Sequence, residues 1–338
     1  MEWLMRVAEN LNQSLHSLLE AEPRAYVLGE DIADPYGGAF KVTKGLSDSF
    51  PGRVLTTPIS ESGIVGAGAG LALAGDVAIV EIMFGDFVAL AFDQIVNFAS
   101  KSVSMYGRRV PMPLVARCPM GGRRGYGATH SQSLQKHFIG APGLSLYELS
   151  PFRDSYELLS EIVEREEPAM LFEDKVLYTS QMFTDGVVDD LLSFDRHPQA
   201  PDVARVFVDD PDRYDVVLIA AGGMAHRACE AVRDLLVEEE ITALLLVPTR
   251  LYPFAAEPLL GTLGAADVIC VAEEGTAGGT WGAEVAQQLH QRLWGTLRRP
   301  VRLVHSADSV IPSAAHLEER VLVSGDTIRQ AVVEALRD

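Results

Sequence analysis

Apolar residues recur at helical spacing from the beginning of the chain. Leu4, Val7, Ala8, Leu11, Leu15, Leu18 and Leu19 mark one face of an amphipathic helix. A short strand is predicted over 25–28, ending in Gly29-Glu30-Asp31, with a glycine-rich loop at Gly37-Gly38 after it. The stretch SGIVGAGAGLALA (62–74) keeps helical character although Gly66, Gly68 and Gly70 each cost a helix about 1 kcal/mol relative to alanine. Such a helix needs an outside reason. The expectation is close approach of another helix, backbones nearly touching, as at a subunit interface. VAIVEIM (77–83) reads as a buried strand, and Phe87, Leu90, Ala91, Gln94, Ile95 and Phe98 trace a helix face. A strand over 113–117, a glycine-rich loop over 121–127, a helix over 155–164 and a strand over 169–173 complete a first β/α region.

The periodicity fades between about 184 and 203, where Asp189, Asp190, Pro198 and Pro201 suggest a connector. A second β/α series follows: strand 215–221 closed by Gly222-Gly223, helix 225–237, strands 241–247 and 267–272, helix 281–293 and a last strand at 301–304. Strands alternating with helices imply right-handed crossovers and parallel sheets. The expected fold is therefore α/β with two parallel-sheet domains, over 1–185 and 206–338, joined by a linker at 186–205.

Length and composition agree with this division. The 338 residues exceed one average domain, and 48% hydrophobic with 22% charged residues provides for two cores. Lys+Arg 28 against Asp+Glu 47 gives a net charge of −19, which repels nucleic acid and anionic membranes. Cys118, Cys229 and Cys270 are far apart and form no CxxC pair, a usage that fits free thiols in a reducing cytoplasm. No run of about 18 apolar residues predicts a membrane span, and the N-terminus does not read as a secretory signal.

Several signatures are missing. Gly66-x-Gly68-x-Gly70 has Leu71 where GxGxxG requires glycine, and Gly-Lys-Ser/Thr, GxSxG and HExxH do not occur. Three segments remain as candidates. Thr57-Pro58-Ile59-Ser60-Glu61 carries a carboxylate into the start of the glycine-rich helix, where desolvation would let it share a proton with a ring nitrogen; the plainer account is a first-turn acid favoured by the helix dipole. Glu81–Phe87 (EIMFGDF) places an aromatic at a strand's carboxyl end, where α/β sheets bind ligands; the plainer account is a core aromatic. Gly121–Ser133 (GGRRGYGATHSQS) delivers a histidine on a sharply bendable loop; alone, a histidine is more often a surface residue.

Taken together and in order, GGAFKVTKGL (37–46), TPISESGIVGAGAGLALAG (57–75), VEIMFGDF (80–87) and GATHSQS (127–133) are far more specific. The chain resembles the beta subunit of the decarboxylase component of 2-oxo acid dehydrogenase complexes of the pyruvate, branched-chain and acetoin type, strongly through residue 175 and more loosely beyond. The resemblance implies an N-terminal domain that binds the aminopyrimidine of thiamine diphosphate and a C-terminal domain of the transketolase type. It implies that Glu61 is the cofactor-activating glutamate, that Ile59, Met83 and Phe87 line the pyrimidine, and that His130 is the active-site histidine moving protons during acyl handover. Members of this superfamily hold the diphosphate and its divalent ion with Gly-Asp-Gly and a downstream Asn. Here Gly75-Asp76-Val77, Gly85-Asp86-Phe87 and Gly325-Asp326-Thr327 all break that pattern. Mg2+ and diphosphate are therefore expected on an alpha subunit in an α2β2 assembly, with a 2-oxo acid as substrate and a lipoyl acyltransferase core as further partner. No metal ligand is assigned to this chain.

Three departures support an alternative. Thr129 stands where relatives often have Gln, the Arg123-Arg124 pair is unusual among the dehydrogenases, and Arg165 replaces an aspartate near a monovalent-cation site. The alternative is the beta subunit of a carboligase or transketolase-like enzyme without a lipoyl partner, its arginine pair facing a substrate phosphate or carboxylate. A non-catalytic scaffold is the reading from another class; Glu61, Phe87 and His130 occurring together speak against it.

Overall fold

From Val7 onward the opening apolar stripe folds as helix α1 (Val7–Ala21), burying Val7, Leu11, Leu15, Leu18 and Leu19, while Leu4 lies outside the described residues. Its polar face is anchored as well. Asn10 donates to Asp154 Oδ2 (2.8 Å) and accepts from the Ser155 backbone N–H (2.9 Å). Asp154 is itself the N-cap of helix α5, taken up below. The computed structural model describes residues 5–337, which form two units: residues 5–121 with 137–182, and residues 122–136 with 183–337.

In the first unit the strands are β1 (Ala25–Gly29), β2 (Val54–Thr56), β3 (Val77–Glu81), β4 (Leu114–Met120), β5 (Ser145–Glu148) and β6 (Ala169–Asp174). They are ordered β5-β6-β4-β3-β1-β2, every pair parallel. Their carboxyl ends therefore lie along one edge. The helices are α1, α2 (Leu46–Ser49), α3 (Glu61–Leu73), α4 (Ser100–Ser102) and α5 (Ser155–Glu164). β2 and β5, of three and four residues, were not expected.

The glycine-rich segment is α3, as its composition suggested, but its closest neighbour differs from the expectation. A Cβ on Gly68 would lie 2.4 Å from Val80 Cγ1 and 3.2 Å from Leu114 Cδ1, so at this glycine the helix is pressed onto the sheet. A Cβ on Gly66 would meet Gln94 Oε1 at 3.1 Å, and Gly70 faces open space in this chain. The helix face read from Phe87 to Phe98 divides into a 3-10 segment, Gly85–Ala91, and a π-helical turn, Gln94–Ala99. At its start Gly85 fits against the Pro119 carbonyl, which a Cβ would approach to 2.9 Å.

The second unit contains β7 (Ser193–His197), β8 (Ala200–Phe207), β9 (Val216–Ala220), β10 (Ala243–Pro248), β11 (Arg250–Tyr252), β12 (Val268–Thr276) and β13 (Arg302–Ser306), with α6 (Met224–Glu239), α7 (Leu260–Ala265), α8 (Trp281–Leu293), α9 (Ala315–Val321) and α10 (Gly325–Arg337). The sheet order is β13-β12-β9-β10-β8-β7. The first four strands are parallel; β8 and β7 are antiparallel to their neighbours. The α/β class is as expected, with an antiparallel pair added at one edge of this mostly parallel sheet, and residues 186–205, expected as a linker, carry β7 and most of β8. Pro198-Gln199 closes the hairpin, and Asp195 faces Arg205 in register, their carboxylate and guanidinium 2.7 and 2.5 Å apart. Such charged, half-exposed strands show little apolar alternation. Among the described residues no helix is long and apolar enough to cross a membrane, and all three cysteines are buried free thiols.

Candidate active site

β3, β1 and β2 are neighbours, with Gly29 in register with both Glu81 and Thr56. Their carboxyl ends accordingly present three short segments side by side. β1 runs into Glu30. β2 runs through Thr57-Pro58-Ile59 to Ser60, which caps α3 by accepting from the Gly63 N–H (3.3 Å), so Glu61 becomes the first helical residue. β3 runs into Met83 and the 3-10 segment holding Phe87. The fold thus brings Ile59, Glu61, Met83 and Phe87 to one edge of one sheet.

Their surroundings differ in an informative way. Glu61 is buried, whereas Ile59, two residues away, is 82% exposed. Met83 and Phe87 are half-buried. A buried acid beside an exposed aliphatic side chain and a partly covered aromatic suits a flat heterocycle that has one apolar face and one ring nitrogen.

Glu30 was not foreseen. It is buried, and its Oε1 has no hydrogen-bond partner among the described residues. Burial, then the negative charges of Glu61 and Asp31, hold its carboxyl above the ordinary value. A carboxyl so placed favours its protonated form. The available signal was an acid directly after the first strand, which ordinarily reads as solvated.

The sign of the pH effect follows from the raised carboxyl. Folding favours the protonated form, so this contribution to stability is complete below about pH 4.5 and is lost as pH rises through the folded value. Glu30→Gln should therefore melt above the wild type near pH 8, with the gap closing toward pH 4. Thermal scans across that range check it, and a gap that widens on acidification would refute the assignment.

Beneath this edge lies a buried charge network. Arg117 on β4 donates to Glu81 (2.6 Å) and doubly to Glu173 (2.7 and 2.8 Å), and the Tyr178 hydroxyl donates to Glu173. The two carboxylates hold the guanidinium firmly charged despite its burial. Glu81 stands two residues before Met83, so the network fixes the strand end that presents the site.

His130 belongs to the second unit, within residues 122–136. Thr129 Oγ1 lies 3.0 Å from its Nδ1 and so bears on the ring's tautomer. Arg123 is not left for a substrate: its N–H donates to Glu318 Oε1 (2.6 Å) and its guanidinium to the Val323 carbonyl. This removes one argument for the carboligase alternative. Arg165 pairs with Glu161 at 2.9 Å. Among the described residues no group of three or more His, Cys, Asp or Glu is arranged to hold a metal ion.

Residues 5–181 match the transketolase pyrimidine-binding domain and residues 207–328 the transketolase C-terminal domain. The chain is 32% identical to the pyruvate dehydrogenase E1 component subunit beta of Leifsonia xyli, over 96% of this chain and 93% of the relative. It is 33% identical to the mitochondrial 2-oxoisovalerate dehydrogenase subunit beta 2 of Arabidopsis thaliana, over 91% and 83%. It is 28% identical to the acetoin:2,6-dichlorophenolindophenol oxidoreductase subunit beta of Bacillus subtilis, over 98% and 97%. Among solved structures, a split-gene transketolase described as an inactive beta4 tetramer superposes with a TM-score of 0.73 at 20% identity, covering 98% of this chain and 99% of that one, which supports the fold. With both transketolase-type domains in order and relatives matching over nearly their full length, the chain belongs to the family of E1 beta subunits of thiamine-diphosphate-dependent 2-oxo acid dehydrogenases.

Proposed function

We propose that this chain is the beta half of a 2-oxo acid dehydrogenase in which Glu61 serves thiamine diphosphate from one polypeptide while an alpha subunit, in an α2β2 assembly, grips the diphosphate through Mg2+. The observation that carries the reading is the buried pair Glu30 and Glu61 at the carboxyl edge of β1 and β2, one oxygen of Glu30 without a partner among the described residues, with exposed Ile59 two residues from Glu61. That donor set fits an aminopyrimidine, with Ile59, Met83 and Phe87 as its apolar walls. The bound cofactor supplies the electron sink that lets a 2-oxo acid lose carbon dioxide. Glu61 holds a proton toward the pyrimidine nitrogen, beside the Glu30 carboxyl, which burial and the Glu61 charge hold above its ordinary value. His130 moves a proton at its imidazole during acyl transfer to lipoamide.

The test is reconstitution with the partner chain that carries Gly-Asp-Gly. The mixture should transfer an acyl group from a 2-oxo acid to lipoamide, and neither chain alone should do so. Formation of an acyloin or ketol with no lipoamide acylation would replace the reading by carboligation.

A further inference from the structure

We infer that Lys136 is a positioning residue for His130: its ammonium is a built-in cation tying the histidine's segment to the turn after β12. The inference rests on the proposed role of His130. Lys136 Nζ lies 2.9 Å from the Thr276 carbonyl, 3.0 Å from Thr276 Oγ1, and 3.2 Å from the carbonyls of both Ala277 and Gly278. Four oxygens around one ammonium are unlike a lysine left to solvent, which keeps its rotamer freedom. Gly278 and Gly279 adopt φ of +88° and +60°, a left-handed curl that lets successive carbonyls meet one cation.

The anchor itself is rigid. It joins β12 to α8, and Glu273 on β12 accepts from the N–H groups of Trp281 (3.2 Å) and Gly282 (2.6 Å) at the start of that helix. The other end of the histidine's segment is tied to the same strand. The Gly122 N–H donates to Glu274 Oε1 (2.8 Å), and the Ser133 hydroxyl reaches that oxygen at 3.4 Å. His130 therefore sits between Gly122 and Lys136 on a loop clamped at both ends. Both clamps are charge-assisted, the first through the Glu274 carboxylate and the second through the Lys136 ammonium, and such bonds are roughly twice as strong as neutral ones.

Loosening a catalytic group by about 1 Å costs on the order of 100-fold in rate. In the reconstituted two-subunit enzyme, Lys136→Met should lower kcat for lipoamide acylation roughly 10- to 100-fold while leaving KM for the 2-oxo acid and the affinity for thiamine diphosphate unchanged. Thr276→Val, which removes only the hydroxyl acceptor, should give a smaller loss of the same kind. Amide hydrogen exchange should quicken across residues 122–136 in both. The deciding measurement is the double variant: in a His130→Ala background, Lys136→Met should cost nothing further. An undiminished loss in that background, or unchanged exchange and kcat in the single variant, overturns the inference. If His130→Ala alone leaves kcat intact while Lys136→Met still loosens the segment, the tether stands and the role given to His130 fails.

Discussion

Glu61→Gln should lower kcat of the reconstituted enzyme by about 10²–10⁴-fold while thiamine diphosphate still binds. The expectation follows from what the substitution keeps and what it removes. Glutamine has the same shape, so the first turn of α3 and the Ser60 cap on Gly63 stay in place. It also keeps an oxygen and an N–H for hydrogen bonds. It cannot exchange a proton with a ring nitrogen, and the position of Glu61 is buried. Glu30 would lose the negative neighbour that helps hold its own carboxyl high, so its titration should move back toward the ordinary carboxylate range. Cofactor affinity from titration, together with steady-state rates, separates the two effects. Wild-type kcat in Glu61→Gln would refute the proton role. Unaltered cofactor binding in Glu61→Ala, together with absent activity in the wild-type complex, would point to a scaffold.

The contrast between Glu61 and Glu30 shows what the sequence makes legible. α5 and α8 occupy residues 155–164 and 281–293, as expected, because apolar period and capping residue agree: Asp154 accepts from two N–H groups of α5 and Thr280 from Ala283 of α8. Local agreement of that kind cannot say which partner an element meets. The glycines of α3 announced a close approach, yet the surface pressed against Gly68 is formed by Val80 and Leu114, which no local pattern could have named. The β7–β8 hairpin escaped notice because its in-register pair is Asp195 with Arg205, charges that break apolar alternation. Glu30 escaped because a strand-end acid is usually solvated and only the fold shows it enclosed beside Glu61. At the histidine, the motif was readable but its mounting was not. Gly122, Arg123 and Lys136 are bonded to residues 274, 318 and 276, more than a hundred positions along the chain. Arg123, read as a candidate for substrate, turns out to hold α9.

The largest structural loss should come from Arg117→Met. The guanidinium is fully enclosed, as is Glu173, and Glu81 nearly so. Strand register explains the arrangement. Glu81 stands opposite Arg117 on the neighbouring parallel strand, and Glu173 is opposite Pro119 on the other side, so one side chain can reach both carboxylates. Methionine fills the space but leaves two buried carboxylates with no counter-charge. Removing one partner of a buried pair costs about 3–5 kcal/mol, equivalent to a fall in Tm on the order of 6–20 °C for a domain of this size. Lysine is no substitute, because a single ammonium cannot bond Glu173 at two oxygens while also reaching Glu81. Replacing the whole group, Arg117→Met with Glu81→Leu and Glu173→Leu, should recover most of the loss, since apolar residues of similar volume need no counter-charge. The triple variant should nonetheless bind thiamine diphosphate more weakly in the assembled enzyme, because the end of β3 that presents Met83 would no longer be held by Arg117. A single Arg117→Met variant melting within about 2 °C of the wild type would show that the network does not carry the folding energy assigned to it.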